Sequence, residues 1–392
     1  MDTRIFDKRL IAPSVLCRDV GLKHGRPFII SAVLTETSLG DLICCMTYLA
    51  TLKAQFDNAK LFVRYRNIRP YSTEVMSLIP SIDKAVGVRW HIPFWARLGI
   101  ADTRLWWPWT RIIDSKTQLH RSFCDFLATD WMLNSRSLHA IPNPAPLVFP
   151  EELKPGARQQ LQQLGLDPDR WFMTLHYRTS TYLDKRSGQL RNGDPEANQK
   201  LVDYVIDELG GQVVQLGHPE IPPFPARPGF VDLSRIKNAF MIQAFAVANS
   251  RFLVAGPSGP VALGWGFQVP TGSVDASDPR SSWGLDEHIT LTHEVTTPDG
   301  EVLQNKALQD AGLLEYPALR DKVRAGEQYT VRKNSFEELA AVAKHLHAIT
   351  EDVVGWRAPA EPSQEPRPNS LTWPPQTNDN ENFFDLRQDG SA

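Results

Sequence analysis

Short, continuously apolar runs alternate along this chain with longer stretches whose apolar residues recur at helical spacing. Phe28 to Leu34 is β-branched and apolar throughout, as in a strand buried on both faces. After Thr35 to Asp41, residues Leu42, Cys45, Met46 and Leu49 fall on one helical face, so the segment predicts a β-turn-α unit. Lys60 to Arg66 and a run near Ile82 to Val88 each follow turn residues and predict two more strands, spaced for a parallel sheet with crossover helices. Trp90 to Trp131 concentrates Trp90, Trp95, Trp106, Trp107, Trp109 and Trp131 among proline breakers. That stretch stays unassigned, with packing between helices as the default and an aromatic surface for stacking sugars as the alternative.

Ile141 to Pro150 holds four prolines in ten residues, which no helix or central strand accommodates, so a domain boundary is expected there. Beyond it the pattern resumes with a polar helix to about Leu164, a strand over Trp171 to Tyr177 and a polar loop from Arg178 to Asn192. Asp194-Pro195 caps a helix that Gly210-Gly211 ends. Strands follow at Gln212 to Leu216, Phe230 to Leu233 and Arg251 to Ala255, with a helix over Asn238 to Asn249 and another opened by Gly256 to Pro260. Ser335 and Glu338 predict a capping box at the head of an amphipathic helix. Six prolines between Pro359 and Pro375 predict a disordered tail, in which Asn382 to Leu386 reads as a short docking motif. The expected architecture is α/β: two Rossmann-like domains, 1–145 and 146–356, with a cleft between them, and a Pro-rich tail, 357–392.

With 392 residues, two domains are the natural division. Lys+Arg 42 against Asp+Glu 45 leaves a net charge of −3, no footing for binding a phosphate backbone, so nucleic acid is excluded as the main partner. Hydrophobic residues make up 42% and charged ones 22%, an ordinary globular balance, and no apolar run approaches a transmembrane length. The first ten residues lack an apolar signal core, which predicts a cytoplasmic protein. Cys17, Cys44, Cys45 and Cys124 have neither zinc-site nor disulfide-framework spacing and read as buried free thiols.

Candidate chemistry falls just after strands, where open α/β sheets bind nucleotides. Gly256-Pro257-Ser258-Gly259-Pro260 joins a strand to a helix, and its N–H groups and serine hydroxyl suit a diphosphate, although a tight structural turn has the same form. His176 and Arg178 project together from the end of one strand; Arg178 offers a permanent charge for phosphate oxygens, or pairs with Asp184 or Asp232. Gly217 and His218 follow the next strand and could line the same pocket, or form a plain turn. In the first half, Asp41 and Glu36 flank the turn Ser38-Leu39-Gly40-Asp41; a carboxylate there is either a helix cap or a base for a hydroxyl proton. Asp167-Pro168-Asp169 reads as a turn rather than a metal site, and His345 and His347 point in different directions from one helix.

With these residues in view, the chain resembles glycosyltransferases of the GT-B architecture. The opening FIISAVLTETSLGDLICCMTYLATLKAQF resembles the first βα unit of bacterial heptosyltransferases, in which the Asp of the Ser-Leu-Gly-Asp turn is the base; that role falls on Asp41. LHYRTSTYLDKRSGQLRN, VVQLGHPEIPPFP and RFLVAGPSGPVALGWGFQVP resemble a group of bacterial glycosyltransferases related to fucosyltransferases with an H-x-R strand motif. There the arginine contacts the nucleotide diphosphate and a Ser-Gly turn cradles phosphate, roles that fall on Arg178 and on Ser258 and Gly259. The continuation Thr-Ser after His-Tyr-Arg, and His218 where relatives carry Asp, depart from that pattern.

The resemblance implies a metal-independent transferase that needs no cofactor and moves a hexose or deoxyhexose from a nucleotide sugar, a GDP-sugar for preference, to a hydroxyl acceptor, with inversion. The acceptor is a glycan, a lipid-linked sugar or a protein, and peripheral membrane contact stays open. Two rivals are a nucleotide-sugar epimerase on the same fold and a catalytically degenerate scaffold that presents its tail to a partner.

Overall fold

The computed structural model describes residues 27–34, 38–54, 58–88, 126–129, 144–179, 188–276, 287–313, 316–358 and 384. The chain divides into two compact units, the first reaching Val148 and the second beginning at Phe149. The Trp-rich stretch lies outside the described residues apart from 126–129, and the tail is described only at Arg357, Ala358 and Phe384.

In the first unit the three predicted strands form close to where expected, and a fourth falls in the stretch left unassigned. β1 (Phe28–Leu34), β2 (Ala59–Arg66), β3 (Lys84–Val88) and β4 (Phe126–Thr129) make one parallel sheet in the order β3-β2-β1-β4. Helix α1 (Leu39–Lys53) buries Leu42, Met46 and Leu49, and the short α2 is Ser72–Ser77. Asp83 ties three elements together. Its carboxylate accepts from Lys53 at the end of α1 (2.6 Å), from Lys60 (2.9 Å) and from the Leu61 N–H in β2 (2.7 Å). Burial alone would raise its pKa, but these bonds outweigh it and hold the group at about 2.

The proline-rich boundary is packed rather than loose. Ala145 N–H donates to Thr51 Oγ1 (2.7 Å), Val148 N–H donates to Leu78 O (2.8 Å), and Leu147 and Phe149 are buried.

The second unit opens with α3 (Lys154–Gln163) and β5 (Phe172–His176), every residue of which is buried. The chain then runs through α4 (Pro195–Asp207), β6 (Gln212–Gln215), β7 (Phe230–Asp232), α5 (Phe240–Asn249), β8 (Phe252–Ala255), α6 (Gly259–Gly266), β9 (Thr271–Ala276) and β10 (His288–Thr292). The six strands are parallel in the order β10-β9-β8-β5-β6-β7. From β5 the chain builds outward to β7, then returns to β8 on the other side and builds outward again, the doubly wound pattern whose strand order reverses between β5 and β8.

Helix α4 starts as the sequence predicts. Asp194 accepts from the Glu196 N–H (2.9 Å), Pro195 opens the helix, and Gly210 ends it at φ 72. Helix α9 (Phe336–Ile349) carries the predicted capping box and packs Leu339, Val342 and Leu346 with Leu201 and Val205 of α4. Beyond it the chain is pinned: Trp356 stacks edge-on to Phe172 (5.6 Å) and donates to Asp167 O (2.9 Å), and Arg357 N–H donates to Asn249 O (2.9 Å).

An additional three-stranded antiparallel sheet, β12-β11-β13, comprises β11 (Glu294–Thr296), β12 (Val302–Leu303) and β13 (Thr330–Arg332). With α7 (Lys306–Asp310) and α8 (Tyr316–Arg324) it forms a small core of Leu190, Val295, Leu303, Leu308, Leu313 and Leu319. Phe384 reaches the edge of the large sheet. Its N–H donates to Thr290 O of β10 (2.9 Å), its carbonyl accepts from Asn305 Nδ2 (3.2 Å), and its ring lies 5.3 Å from that of His345. The predicted docking motif thus has one described residue, and that residue docks within its own chain.

Candidate functional site

In the first unit Ser38 caps α1 from an extended backbone (φ −73, ψ 143). Its Oγ accepts from the Asp41 N–H (3.3 Å) and donates to Asp41 Oδ2 (2.5 Å), so Ser38 is the cap and Asp41, an exposed carboxylate, reciprocates. Burial, and after it the Asp41 charge, push the Cys44 thiol above its ordinary range. Cys45 is the buried free thiol expected, Cys44 is free but half-buried, and Cys17 and Cys124 lie outside the described residues. Glu36, the other predicted carboxylate, lies outside the described residues. The Ser38–Asp41 turn follows β1, which lies between β2 and β4, so it stands where the strand order of this sheet reverses.

The candidates of the second half gather at the corresponding place in the second sheet. His176 at the end of β5 is in register with Ala255 at the end of β8, and Gly256 N–H donates to His176 O (2.9 Å). The two strand ends that bracket the reversal are thus stitched together. A Cβ built on Gly256 would lie 3.9 Å from both the Arg178 backbone nitrogen and Val274 O, which sets the Gly256 turn beside Arg178 and β9. Ser258 caps α6 from an extended backbone (φ −153, ψ 169) without making a side-chain cap hydrogen bond, and Gly259 and Pro260 open the helix. Arg191 Nη2 donates to Pro257 O (2.6 Å), and Gly193 N–H donates to Arg178 O (3.0 Å), so the loop after β5 is tied to the turn after β8. Asp232, a proposed partner of Arg178, instead accepts from Ser234 N–H (2.8 Å) and Arg235 (3.3 Å); Asp184 lies outside the described residues.

His176 is 4% exposed and its Nδ1 has no hydrogen-bond partner among the described residues. Burial, reinforced by the charges of His218 and Arg178, holds its pKa at about 3, so the imidazole stays neutral at pH 7. Gly217 sits at φ 134, where other residues are strained, and a Cβ there would lie 2.2 Å from Ile221 Cδ1 and 3.7 Å from His176 Cδ2. Gln243 of α5 clamps it from both sides, accepting from Gly217 N–H (3.1 Å) and donating to Gly217 O (2.8 Å). His218 Nδ1 accepts from Glu220 N–H (3.3 Å), and partial burial lowers its pKa against the pull of Glu220. His176, Arg178, Gly217, His218, Ser258 and Gly259 therefore occupy adjoining strand ends of one sheet.

Sequence reasoning passed over the groups at the end of β9. Asp275 is buried at φ 49, a left-handed backbone that costs a non-glycine residue about 1–2 kcal/mol. Asn334 holds it there: Asp275 N–H donates to Asn334 Oδ1 (2.5 Å), and Asn334 N–H donates to Asp275 Oδ1 (2.8 Å). Burial raises the Asp275 pKa to about 6, lowers that of Lys333 to about 8 and lowers that of His293 to about 3. Gln243 and Arg191 were passed over as well, because both act on backbone groups far away in the chain.

Asp167 accepts from Asp169 N–H (3.0 Å), as the turn reading required, and among the described residues no three His, Cys, Asp or Glu side chains are grouped to hold a metal ion. His347 stacks on Trp171 (5.0 Å) while His345 faces Phe384. Among the described residues no helix is long and apolar enough to cross a membrane.

No family model matches this sequence, and no curated protein matches it. Solved structures do. A glycosyl transferase family 9 protein from Veillonella parvula superposes with a TM-score of 0.51 at 13% identity, covering 82% of this chain and 98% of that one. The E. coli ADP-heptose LPS heptosyltransferase II gives 0.46 at 14% identity, over 76% of this chain and 98% of that one. The strand orders and the superposition with the family 9 structure agree: the fold is the two-unit, parallel α/β architecture of GT-B glycosyltransferases.

Proposed function

We propose that this protein is a glycosyltransferase that takes a sugar from a nucleotide-sugar donor bound at the end of the second sheet. The observation that carries the reading is the pairing of Arg178 and the Ser258-Gly259 helix start at the β5/β8 strand reversal, where open α/β sheets bind nucleotides. The fold shared with the Veillonella parvula transferase supports it. Nothing in the geometry favours the epimerase or the degenerate scaffold.

In this mechanism Asp41 or Glu36 takes the proton of an acceptor hydroxyl on a glycan, lipid-linked sugar or protein. The acceptor oxygen bonds to the anomeric carbon as the bond from that carbon to the phosphate oxygen breaks through an oxocarbenium-like state, and the product is inverted. The diphosphate leaves with the electron pair. Arg178, the Ser258 hydroxyl and the N–H of Gly259 meet its charge without a metal, and neutral His176 with Gly217 and His218 lines the nucleotide end. The preferred donor is a GDP-sugar.

A thermal-shift screen of GDP, ADP, UDP, TDP and CMP, with and without Mg²⁺, tests the reading. At a hundred times Kd a ligand adds about 2.7 kcal/mol, which raises the melting temperature by roughly 5–10 °C. One nucleotide should do so without Mg²⁺, and Arg178→Ala should abolish the shift. Silence from every nucleotide refutes the proposal.

A further inference from the structure

We propose that Asp275, Lys333 and His293 form a subsite that grips hydroxyl groups of the donor's transferred sugar and selects a neutral, polyhydroxylated one. The inference rests on the donor-site reading above and deepens it.

Position comes first. In the β8–β9 register Ala255 pairs with Ser273, and a Cβ on Gly256 would lie 3.9 Å from Val274 O, so Asp275 directly follows the residue beside the candidate phosphate turn. On its other side is Gly193, whose N–H is bonded to Arg178 O; a Cβ there would stand 3.2 Å from Asp275 Oδ2. The carboxylate therefore occupies the corner shared by the Arg178 loop and the Ser258 turn. The absence of a side chain at Gly193 leaves room beside it.

The cluster is held rigidly, yet its polar atoms are left over. Asn334 fixes Asp275 through Oδ1 and the backbone, and is itself fixed by donating to Thr292 O (3.0 Å). The hydrogen bonds of the Asp275 carboxylate among the described residues go to Oδ1, leaving Oδ2 for another donor. Lys333, the neighbour of Asn334 in the chain, has a buried Nζ with no acceptor among the described residues. His293, which follows Thr292, is 1% exposed, lies close enough to feel the Lys333 charge and the Asp275 backbone, and has an Nδ1 without a partner among the described residues. Buried polar atoms are nearly always satisfied in folded proteins, so the two left over on Lys333 and His293, close to a carboxylate oxygen with no donor among the described residues, point to a ligand that satisfies them.

The donor set says which ligand. One carboxyl and one ammonium balance, so a second anionic group would meet Asp275, with Asp194 and Glu338 also acting on the corner. A hydroxyl fits both partners: its O–H donates to Asp275 Oδ2 while its lone pairs accept from Lys333 Nζ or a protonated ring nitrogen of His293. A sugar carries several such groups on adjacent carbons. A site built this way rejects analogues that lack the hydroxyl, because its own polar atoms are then left unpaired.

The test compares two affinities by titration calorimetry on the full chain: that of the nucleoside diphosphate chosen by the thermal screen, and that of its hexose conjugate (GDP and GDP-mannose, ADP and ADP-glucose, or UDP and UDP-glucose). Asp275→Asn keeps the Oδ1 acceptor for Asn334 but turns Oδ2 into a donor; Lys333→Met keeps the length of the side chain and removes its charge. Both should weaken the conjugate at least tenfold and leave the diphosphate within twofold. If Asp275→Asn does not fold, Lys333→Met carries the test alone. Conjugate affinity unchanged, or lost in step with the diphosphate, overturns this inference while the donor site stands. A wild-type protein that binds no diphosphate overturns both.

Discussion

Acidification from pH 7 to pH 5 should destabilise the second unit through His176 in particular. Folding holds this imidazole at about 3, against 6.5 for the ordinary group, chiefly by burial. A group whose folded pKa is depressed contributes stability above its unfolded pKa and loses it as pH falls toward the folded value. Between pH 7 and 5 the unfolded chain takes up about 0.7 of a proton that the folded chain refuses, and integration over that window gives about 2 kcal/mol. With His176 4% exposed, solvent screening does not reduce this figure appreciably. Urea unfolding at both pH values, for the wild type and for His176→Gln, isolates it, because any direct cost of the substitution cancels within each protein. The wild type should lose about 2 kcal/mol more than the variant over the same pH step. Equal losses in the two proteins would mean that His176 is protonated or hydrated in the folded state, and the argument for a neutral imidazole beside Arg178 would fail.

Gly211→Ala should destabilise the second unit by about 1–3 kcal/mol, since its Cβ would stand 2.3 Å from the ring of Trp171, which Phe252 and His347 hold in place; thermal unfolding measures this, and an unchanged melting temperature would refute it. Phe384→Ala should cost about 3 kcal/mol, and deletion of residues 378–392 a similar amount, because Phe384 is 4% exposed and belongs to the core of the second unit; a deletion that leaves the urea midpoint unmoved would show that the docking contributes nothing. Asp41→Asn should lower turnover by a factor of about 100 or more while leaving nucleotide affinity within a few-fold, the reverse of Arg178→Ala; comparable donor affinities in the two variants would undo the division of roles.

Neighbouring residues were enough to set the local elements. Phe28 to Leu34 and Trp171 to Tyr177 are apolar and β-branched or aromatic enough to specify strands, Lys60 to Arg66 is marked by the turn residues before it, and the caps at Asp194 and Ser335 are written in adjacent residues. The sequence also put His176 at the end of a strand and Arg178, Gly217 and Ser258 just after strands, which is where they are. These features were legible because a strand's burial, a helix cap or a glycine turn depends on neighbours within a few positions.

The order of the strands rests on long-range pairing. The expectation that Arg178 and the Ser258 turn belong to neighbouring strands follows from the α/β pattern, and the pairing of β5 with β8 meets it. Only the tertiary structure decided the contacts of Gln243 on Gly217 and Arg191 on Pro257, made to backbone groups from distant positions. Asp275, Lys333 and His293 read in the sequence as unremarkable polar residues. Their perturbed ionisation comes from burial among one another, and burial is a property of the packed fold rather than of any stretch of chain.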